Sequence, residues 1–151
     1  MPANNEIANR NQQTLTQMLE YLGRRDFENY EKYLADDVYA DWPYVPVAGL
    51  PGSVVGKEQL LAYFKGEVDG ARNDGMLDFT PFNYTITRII ETVDPDQLVA
   101  EYCSDSIYLP SNTPYSNKYI SIFNFDKNGL ICYWREYVNP LLIYQTLGYD
   151  I

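Results

Sequence analysis

Four strand-like segments occupy the second half of the chain and constrain its fold more than any other feature. They cover residues 79–93, 97–109, 115–125 and 130–138, and they are rich in the aromatic and β-branched side chains that favour strands. Short runs containing Asp, Asn, Pro or Gly separate them, and Asp-Lys-Asn-Gly at 126–129 is typical of a hairpin turn. The pattern predicts a four-stranded antiparallel meander.

The first half of the chain predicts mainly helices. Apolar residues recur at helical spacing over residues 7–22, 27–34 and 57–68, and Asp26 is placed to cap the second of these helices. The remaining predicted elements are the end of the second helix at Asp36 and Asp37, a strand over 38–42, a loop over 43–56, a turn over 70–75, and a final helix over 140–147 that follows a capping Asn139.

Helices followed by a run of strands are typical of an α+β domain. At 151 residues the chain fits one hydrophobic core, so residues 1–151 are predicted to form a single domain. A strongly curved antiparallel sheet wrapped around helices forms a cone, and the interior of such a cone is where a ligand pocket is expected.

Charge and composition argue against several classes of partner. The formal net charge is −10, whereas nucleic acids and anionic membranes are bound through Lys and Arg. No apolar run approaches the roughly 18–20 residues of a membrane span and no signal-peptide pattern is present, so a cytoplasmic location is expected. The chain has no histidine and only two separated cysteines. No metal site is therefore predicted, and Cys103 and Cys132 are interpreted as buried small hydrophobic residues.

A glutamate in the last predicted strand is the strongest candidate for a catalytic group. In Ile-Cys-Tyr-Trp-Arg-Glu-Tyr-Val at 131–138, alternation places Trp134 and Glu136 on one face and Arg135 on the other. A carboxylate on an apolar face loses hydration, which raises its pKa and suits it to proton transfer near neutral pH. The alternative is a carboxylate paired with a neighbouring Arg or Lys.

Asp41 is either a second pocket carboxylate or a turn residue before Pro43. It shares a face with Tyr39, and if it faced Glu136, repulsion would hold one proton between the two carboxylates. Hydroxyl groups that could bind a carbonyl oxygen or an oxyanion are offered by Tyr39, Tyr63, Tyr115 and Tyr119, each of which could equally be a core or rim residue.

Three segments together resemble the nuclear transport factor 2-like superfamily, which contains ketosteroid isomerases and SnoaL-like polyketide cyclases. They are Tyr-Leu-Ala-Asp-Asp-Val-Tyr-Ala-Asp at 33–41, Gly-Lys-Glu-Gln-Leu at 56–60 and Trp-Arg-Glu-Tyr at 134–137. The resemblance covers essentially the whole chain. It implies one SnoaL-like domain with a cone-shaped, cystatin-like α+β barrel, and it implies neither a metal nor an organic cofactor.

Within the superfamily, the phenazine-biosynthesis A/B proteins are similar through Trp42, residues 56–58, residues 135–137 and Asn139. This similarity implies that Glu136 is an acid–base group in the pocket. The expected function is a cofactor-independent isomerase or cyclase of secondary metabolism that acts on a small apolar or aromatic metabolite, with Asp41 or Tyr39 assisting Glu136. The residues expected to bind the substrate are Trp42, Tyr63, Asp105, Tyr115, Tyr119, Ser121 and Trp134; Ser121 lies near the position of the oxyanion-binding Asp of ketosteroid isomerases.

Two other functions remain open. Limonene-epoxide-hydrolase-like enzymes are similar in the 39–43 and 134–137 runs, which implies an epoxide hydrolase in which Asp41 and Glu136 activate water and the epoxide. The Arg that those enzymes carry on a middle strand is absent from residues 101–105. The other reading is a non-catalytic module that binds a small ligand. Since the superfamily commonly pairs through the outer face of its sheet, a homodimer is expected.

Overall fold

A computed structural model describes residues 3–45, 51–67 and 75–148 of the chain. The described residues form a six-stranded sheet and four α-helices. In chain order the elements are α1 (Asn4–Gly23), α2 (Phe27–Tyr30), β1 (Leu34–Asp41), β2 (Ser53–Val55), α3 (Lys57–Lys65), β3 (Asn83–Glu91), β4 (Gln97–Tyr108), β5 (Thr113–Phe125), β6 (Ile131–Val138) and α4 (Pro140–Leu147).

The strands lie in the order β2-β1-β6-β5-β4-β3. The four strands β3 to β6 pair antiparallel with their chain neighbours, which confirms the predicted meander. The first strand, β1, runs parallel to β6, and β2 pairs antiparallel with β1. The α+β class and the curved sheet are therefore as the sequence predicts.

The long helix α1 covers the inner face of the sheet. Its residues Leu15, Met18, Leu19 and Leu22 recur at helical spacing and are fully buried, as their periodicity predicts. The helix ends at Gly23, whose carbonyl accepts a hydrogen bond of 2.9 Å from the backbone N–H of Phe82. A Cβ at position 23 would lie 2.3 Å from the Phe82 carbonyl oxygen, so only glycine lets these two backbones approach.

Two short helices begin where their caps predict. The side chain of Asp26 accepts a hydrogen bond from the Asn29 backbone N–H at the start of α2, and Asn139 does the same for Leu141 at the start of α4. The third helix stops at Lys65 rather than at residue 68, because Gly66 adopts a left-handed conformation that ends it. Residues 68–74, which hold the rest of that prediction and most of the predicted turn at 70–75, lie outside the described residues.

Three predicted boundaries are wrong. The first strand begins at Leu34, so Asp36 and Asp37 are exposed strand residues and not the end of a helix. The predicted loop over 43–56 contains the short strand β2, which exists through its pairing with β1. The strand predicted from residue 79 starts only at Asn83, since Met76–Asp78 form a 3-10 turn and residue 79 makes one isolated bridge with the end of β4.

The prediction that both cysteines are buried is also wrong. Cys103 lies on the outer face of β4, and Cys132 lies where the register between β5 and β6 shifts. Because of this shift, the neighbouring Ile131 takes the core position and Cys132 stays half-buried. Among the described helices, none is long and apolar enough to cross a membrane.

Candidate active site

A cavity opens between the inner face of the sheet and the helices α3 and α4. The cavity has a volume of about 110 Å³. Aromatic side chains dominate its wall, and they come from segments far apart in the sequence. Its lining includes Trp42, Val45, Tyr63, Phe64, Met76, Phe79, Phe82, Tyr84, Tyr115, Tyr119, Glu136, Val138, Ile143, Thr146 and Leu147.

Glu136 is the only charged side chain among the described residues that line this cavity. It projects from the inner face of β6, as the alternation of the strand predicts, and only 8% of its surface is exposed. Burial raises the pKa of its carboxyl from 4.5 to about 7, while hydrogen bonds from Tyr102 and Trp42 hold this pKa down against the burial. The carboxyl is thus poised to gain or lose a proton near neutral pH.

Both carboxylate oxygens of Glu136 accept a hydrogen bond from the protein. The indole Nε1–H of Trp42 donates to Oε1 over 3.1 Å, and the hydroxyl of Tyr102 donates to Oε2. The Tyr102 oxygen also lies 2.7 Å from Oγ of Ser121, and this Oγ accepts a hydrogen bond of 3.3 Å from the indole Nε1–H of Trp134. The carboxylate is therefore held in one orientation from two sides.

The tyrosines of the cavity fall into two groups. Tyr119 is hydrogen-bonded to Ser104 over 2.6 Å, and the hydroxyl of Tyr115 accepts from Asn117 over 2.8 Å. In contrast, the hydroxyls of Tyr63 and Tyr84 have no hydrogen-bond partner within the described ranges. Burial raises the pKa of both phenols, so they stay protonated and remain available as donors to a ligand.

The sequence profile of the SnoaL-like domain matches residues 15–134. The chain belongs to the SnoaL-like domain family. It is 24% identical over 136 residues to the uncharacterized protein YesE of Bacillus subtilis, a match that covers 90% of this chain and 86% of that protein.

Solved structures show the same fold. A Bacillus subtilis protein provisionally described as an isomerase superposes with a TM-score of 0.80 at 22% identity, covering 99% of both chains. A phenazine biosynthesis-related protein of Pseudomonas aeruginosa superposes with a TM-score of 0.72 at 19% identity, over 98% of this chain and 91% of that one. A Mycobacterium tuberculosis protein solved with estradiol-17β-hemisuccinate gives 0.69 at 19% identity, over 88% and 96%.

Asp41 and Tyr39 of this SnoaL-like domain lie on the outer face of the sheet, not at the cavity. Asp41 stands opposite Arg135 in the pairing of β1 with β6, and its carboxylate accepts two hydrogen bonds from that guanidinium, from Nε over 2.9 Å and from Nη2 over 2.7 Å. The hydroxyl of Tyr39 donates to the same carboxylate over 3.3 Å. Because Trp42 takes the inward direction, the structure does not bring Asp41 and Glu136 together.

The other predicted site residues divide between the cavity and its surroundings. Trp42, Tyr63, Tyr115 and Tyr119 line the cavity, and the rings of Trp42 and Tyr63 stack at 4.0 Å. Ser121 and Trp134 lie behind the lining, where they contact Glu136 through Tyr102. Asp105 is exposed on the outer face, which it shares with Glu101, and it accepts a hydrogen bond from Ser116.

Two tyrosines of the site were missed from the sequence. Tyr102 and Tyr84 lie on the inner faces of β4 and β3, next to the cavity. The alternation of Tyr102 with the buried Leu98 and Ala100 was the available signal, since it places the phenol on the core face. Within the part of the chain that the structure describes, no group of three His, Cys, Asp or Glu residues could hold a metal ion.

Proposed function

We propose that this SnoaL-like domain is a small-molecule isomerase or cyclase that uses Glu136 for proton transfer. One observation carries the proposal: a single carboxylate, oriented by two donors, faces an otherwise uncharged aromatic cavity and has a pKa of about 7. A general base with a pKa near the working pH combines a large ionised fraction with strong driving force for proton transfer. The expected assistance from Asp41 or Tyr39 is not part of this proposal, since both lie on the other face of the sheet.

The reaction would begin with ionised Glu136 taking a proton from a carbon next to a carbonyl group. The electron pair of the broken C–H bond moves onto the carbonyl oxygen, which becomes an enolate. Tyr63 and Tyr84 are the proposed hydrogen-bond donors to that oxygen, because both residues line the cavity and their hydroxyls have no partner among the described residues. In an isomerisation, Glu136 returns the proton to another carbon; in a cyclisation, the enolate carbon attacks a second carbonyl, and Glu136 protonates the new alkoxide.

The cavity suits a small and largely apolar substrate. Its volume of about 110 Å³ is of the same order as the roughly 150 Å³ of an engineered apolar cavity that binds benzene. This is comparable to a ligand with one ring. Aromatic rings on several sides and one carboxylate favour an uncharged, planar compound over an acid, which ionised Glu136 would repel. Two proteins with the same fold are described by the ligands they bind: the Mycobacterium tuberculosis protein is in complex with estradiol-17β-hemisuccinate, and another is a computationally designed 17-OHP binder.

Proton exchange tests the proposal without knowledge of the natural substrate. A panel of cyclic and aryl ketones would be incubated with the protein in D₂O, and the loss of α-proton signals followed by NMR. We expect exchange with at least one ketone and a fall of about 10² to 10⁴ in Glu136→Gln. Glu101→Gln is the matched control: it is the same substitution on the outer face, where Glu101 pairs with Arg88 over 3.4 Å in a half-exposed ion pair.

Each outcome of that experiment has a clear meaning. Exchange that persists in Glu136→Gln would exclude Glu136 as the base. Ketones that bind without any exchange in the unsubstituted protein would favour a non-catalytic binding module. Products heavier by one water from epoxides added to the same panel would favour the epoxide hydrolase, for which the cavity offers Glu136 but, among its described lining, no second carboxylate and no Arg.

We also propose that the protein forms a homodimer through the outer face of the sheet. This face carries apolar and aromatic groups, including Ile120, which is 40% exposed, and the paired rings of Tyr44 and Tyr137 at 5.4 Å. Size-exclusion chromatography with light scattering would measure the mass, and Ile120→Glu should shift a dimer towards monomer. A monomeric mass at every concentration of the unsubstituted protein would refute the dimer.

A further inference from the structure

The hydrogen bonds behind Glu136 have a fixed direction. An indole N–H can only donate, so the Ser121 oxygen accepts from Trp134. The Tyr102 hydroxyl donates its only hydrogen to Oε2 of Glu136. In the contact between Ser121 and Tyr102, Ser121 is therefore the donor. The hydrogens of Trp134, Ser121 and Tyr102 therefore all point towards the carboxylate. We call these three residues the relay.

We infer that the relay residues Tyr102, Ser121 and Trp134 are positioning residues for Glu136, which hold its ionised carboxylate at the cavity wall and link its protonation to the indole of Trp134. All three are buried, with 2% or less of their surface exposed. The role in catalysis rests on the proposed function of Glu136. The link itself is a property of the free protein.

The direction of the relay also decides where a captured proton can sit. If protonated Glu136 donated from Oε2, Tyr102 would have to turn towards Ser121, and the Ser121 hydroxyl would need a new acceptor, because Trp134 cannot accept. Oε1 is likewise occupied by a donor that cannot reverse, the indole of Trp42. The proton is thus favoured on the lone pairs that face the cavity, from which it can return to a ligand.

Among the described residues, no charged side chain competes with the relay for Glu136. The described titratable groups that interact electrostatically with its carboxyl are all phenols, and they come from α2, α3, β3, β4 and β5: Tyr30, Tyr63, Tyr84, Tyr102, Tyr115 and Tyr119. Burial raises the pKa of each, so none of them titrates near neutral pH. The neighbouring Arg135 is held on the opposite face by Asp41.

The composition of the chain supplies the probes for a direct test. It contains two tryptophans and no histidine. Its two indole N–H groups are those of Trp42, bonded to Glu136, and of Trp134, at the far end of the relay. In a ¹H–¹⁵N NMR titration, both indole signals should move with one shared midpoint near pH 7, and no imidazole can be the source. Both signals should stop moving in Glu136→Gln.

Variants that interrupt the relay should separate the two signals. In Tyr102→Phe, the Trp134 signal should become independent of pH while the Trp42 signal still titrates, with a midpoint raised by about one to two pH units for the lost bond to a charged group. Ser121→Ala should disconnect Trp134 in the same way but raise the midpoint by only a few tenths of a unit, since Tyr102 still donates. Ser121→Thr, which retains the hydroxyl, should restore the link.

Tyr119→Phe is the matched control. It keeps the ring that stacks on Tyr102 and removes only a buried hydroxyl, which is hydrogen-bonded to Ser104 and not to the relay. It should leave both indole titrations coupled. A Trp134 signal that does not titrate in the unsubstituted protein, or that still follows Trp42 in Tyr102→Phe, overturns the inference. Neither result bears on ketone exchange by Glu136, so failure of the relay and failure of the proposed function can be told apart.

Discussion

Replacing Glu136 by Gln should make the protein more stable at high pH, although it removes the proposed catalytic base. Glu136 lies in an apolar cavity with 8% of its surface exposed, and no described cation neutralises it. Ionising it there costs free energy that an amide of the same shape avoids. Active-site groups often reduce stability in this way, which is why removing them can stabilise a fold.

The sign and size follow from the two protonation equilibria. Below pH 4.5, the folded and unfolded states both hold the proton. Between 4.5 and about 7, the unfolded chain releases it while the folded protein keeps it, so the free energy of unfolding falls as pH rises. Above about 7 both states are ionised and the loss is complete. The difference of about two and a half pH units, at about 1.4 kcal/mol each, is on the order of 3 to 4 kcal/mol.

Urea unfolding at several pH values between 4.5 and 8.5, followed by far-ultraviolet circular dichroism, would measure this effect. The quantity of interest is the difference in unfolding free energy between Glu136→Gln and the unsubstituted protein, because contributions from all other titrating groups cancel in it. This difference should change by about 3 to 4 kcal/mol in favour of the variant as pH rises. A difference that stays constant across the range would show that Glu136 ionises as freely in the folded protein as in the unfolded chain, and would refute the reasoning.

Three further substitutions test the surroundings of the cavity. Asp41→Asn should lower the melting temperature by about 2–4 °C through loss of its bidentate ion pair, yet leave the titration of Glu136 unchanged, since this carboxylate lies on the other face. Tyr63→Phe preserves the ring stacked at 4.0 Å and removes only an unpartnered hydroxyl, so urea unfolding should change by less than about 0.5 kcal/mol, while affinity for a ketone measured by calorimetry should fall about tenfold. Gly23→Ala should destabilise the protein by about 1–3 kcal/mol in urea unfolding, because its Cβ would lie 2.3 Å from the Phe82 carbonyl oxygen.

The elements that the sequence predicts correctly are those whose pattern is complete within the element. Leu15, Met18, Leu19 and Leu22 of α1 repeat at helical spacing, and β4, β5 and β6 carry both alternation and turn residues. The short strand β2 has no such pattern. It contains three residues, follows a segment rich in Gly and Pro, and is a strand because it pairs with β1. The missed start of β3 has a related cause: Phe79 and Phe82 look strand-like in composition, but they belong to an aromatic cluster with Tyr108 and Tyr115.

In the candidate site, too, local sequence patterns predict some features and not others. Alternation predicts that Glu136 faces inward, and it does. Its two hydrogen-bond donors cannot be found that way, because Trp42 lies 94 residues and Tyr102 lies 34 residues away in the sequence. They meet Glu136 through the parallel pairing of β1 with β6 and through the meander, so their contribution depends on the register of four strands, β1, β4, β5 and β6. A residue type and a face can be predicted locally, whereas a network of hydrogen bonds requires the fold.

The ionisation of Glu136 depends finally on the alternation of side chains along β6, which keeps a cation out of the cavity. Arg135 is its neighbour in sequence, and a guanidinium in the cavity would lower the pKa of the glutamate and end its usefulness near neutral pH. Alternation sends Arg135 outward, and there Asp41 binds it through two hydrogen bonds. Asp41, which the sequence suggested as a partner in proton transfer, instead forms an ion pair with Arg135 on the outer face. The two carboxylates do not share a proton; one binds the arginine, and the other is left without a counterion in the described cavity, as a buried base requires.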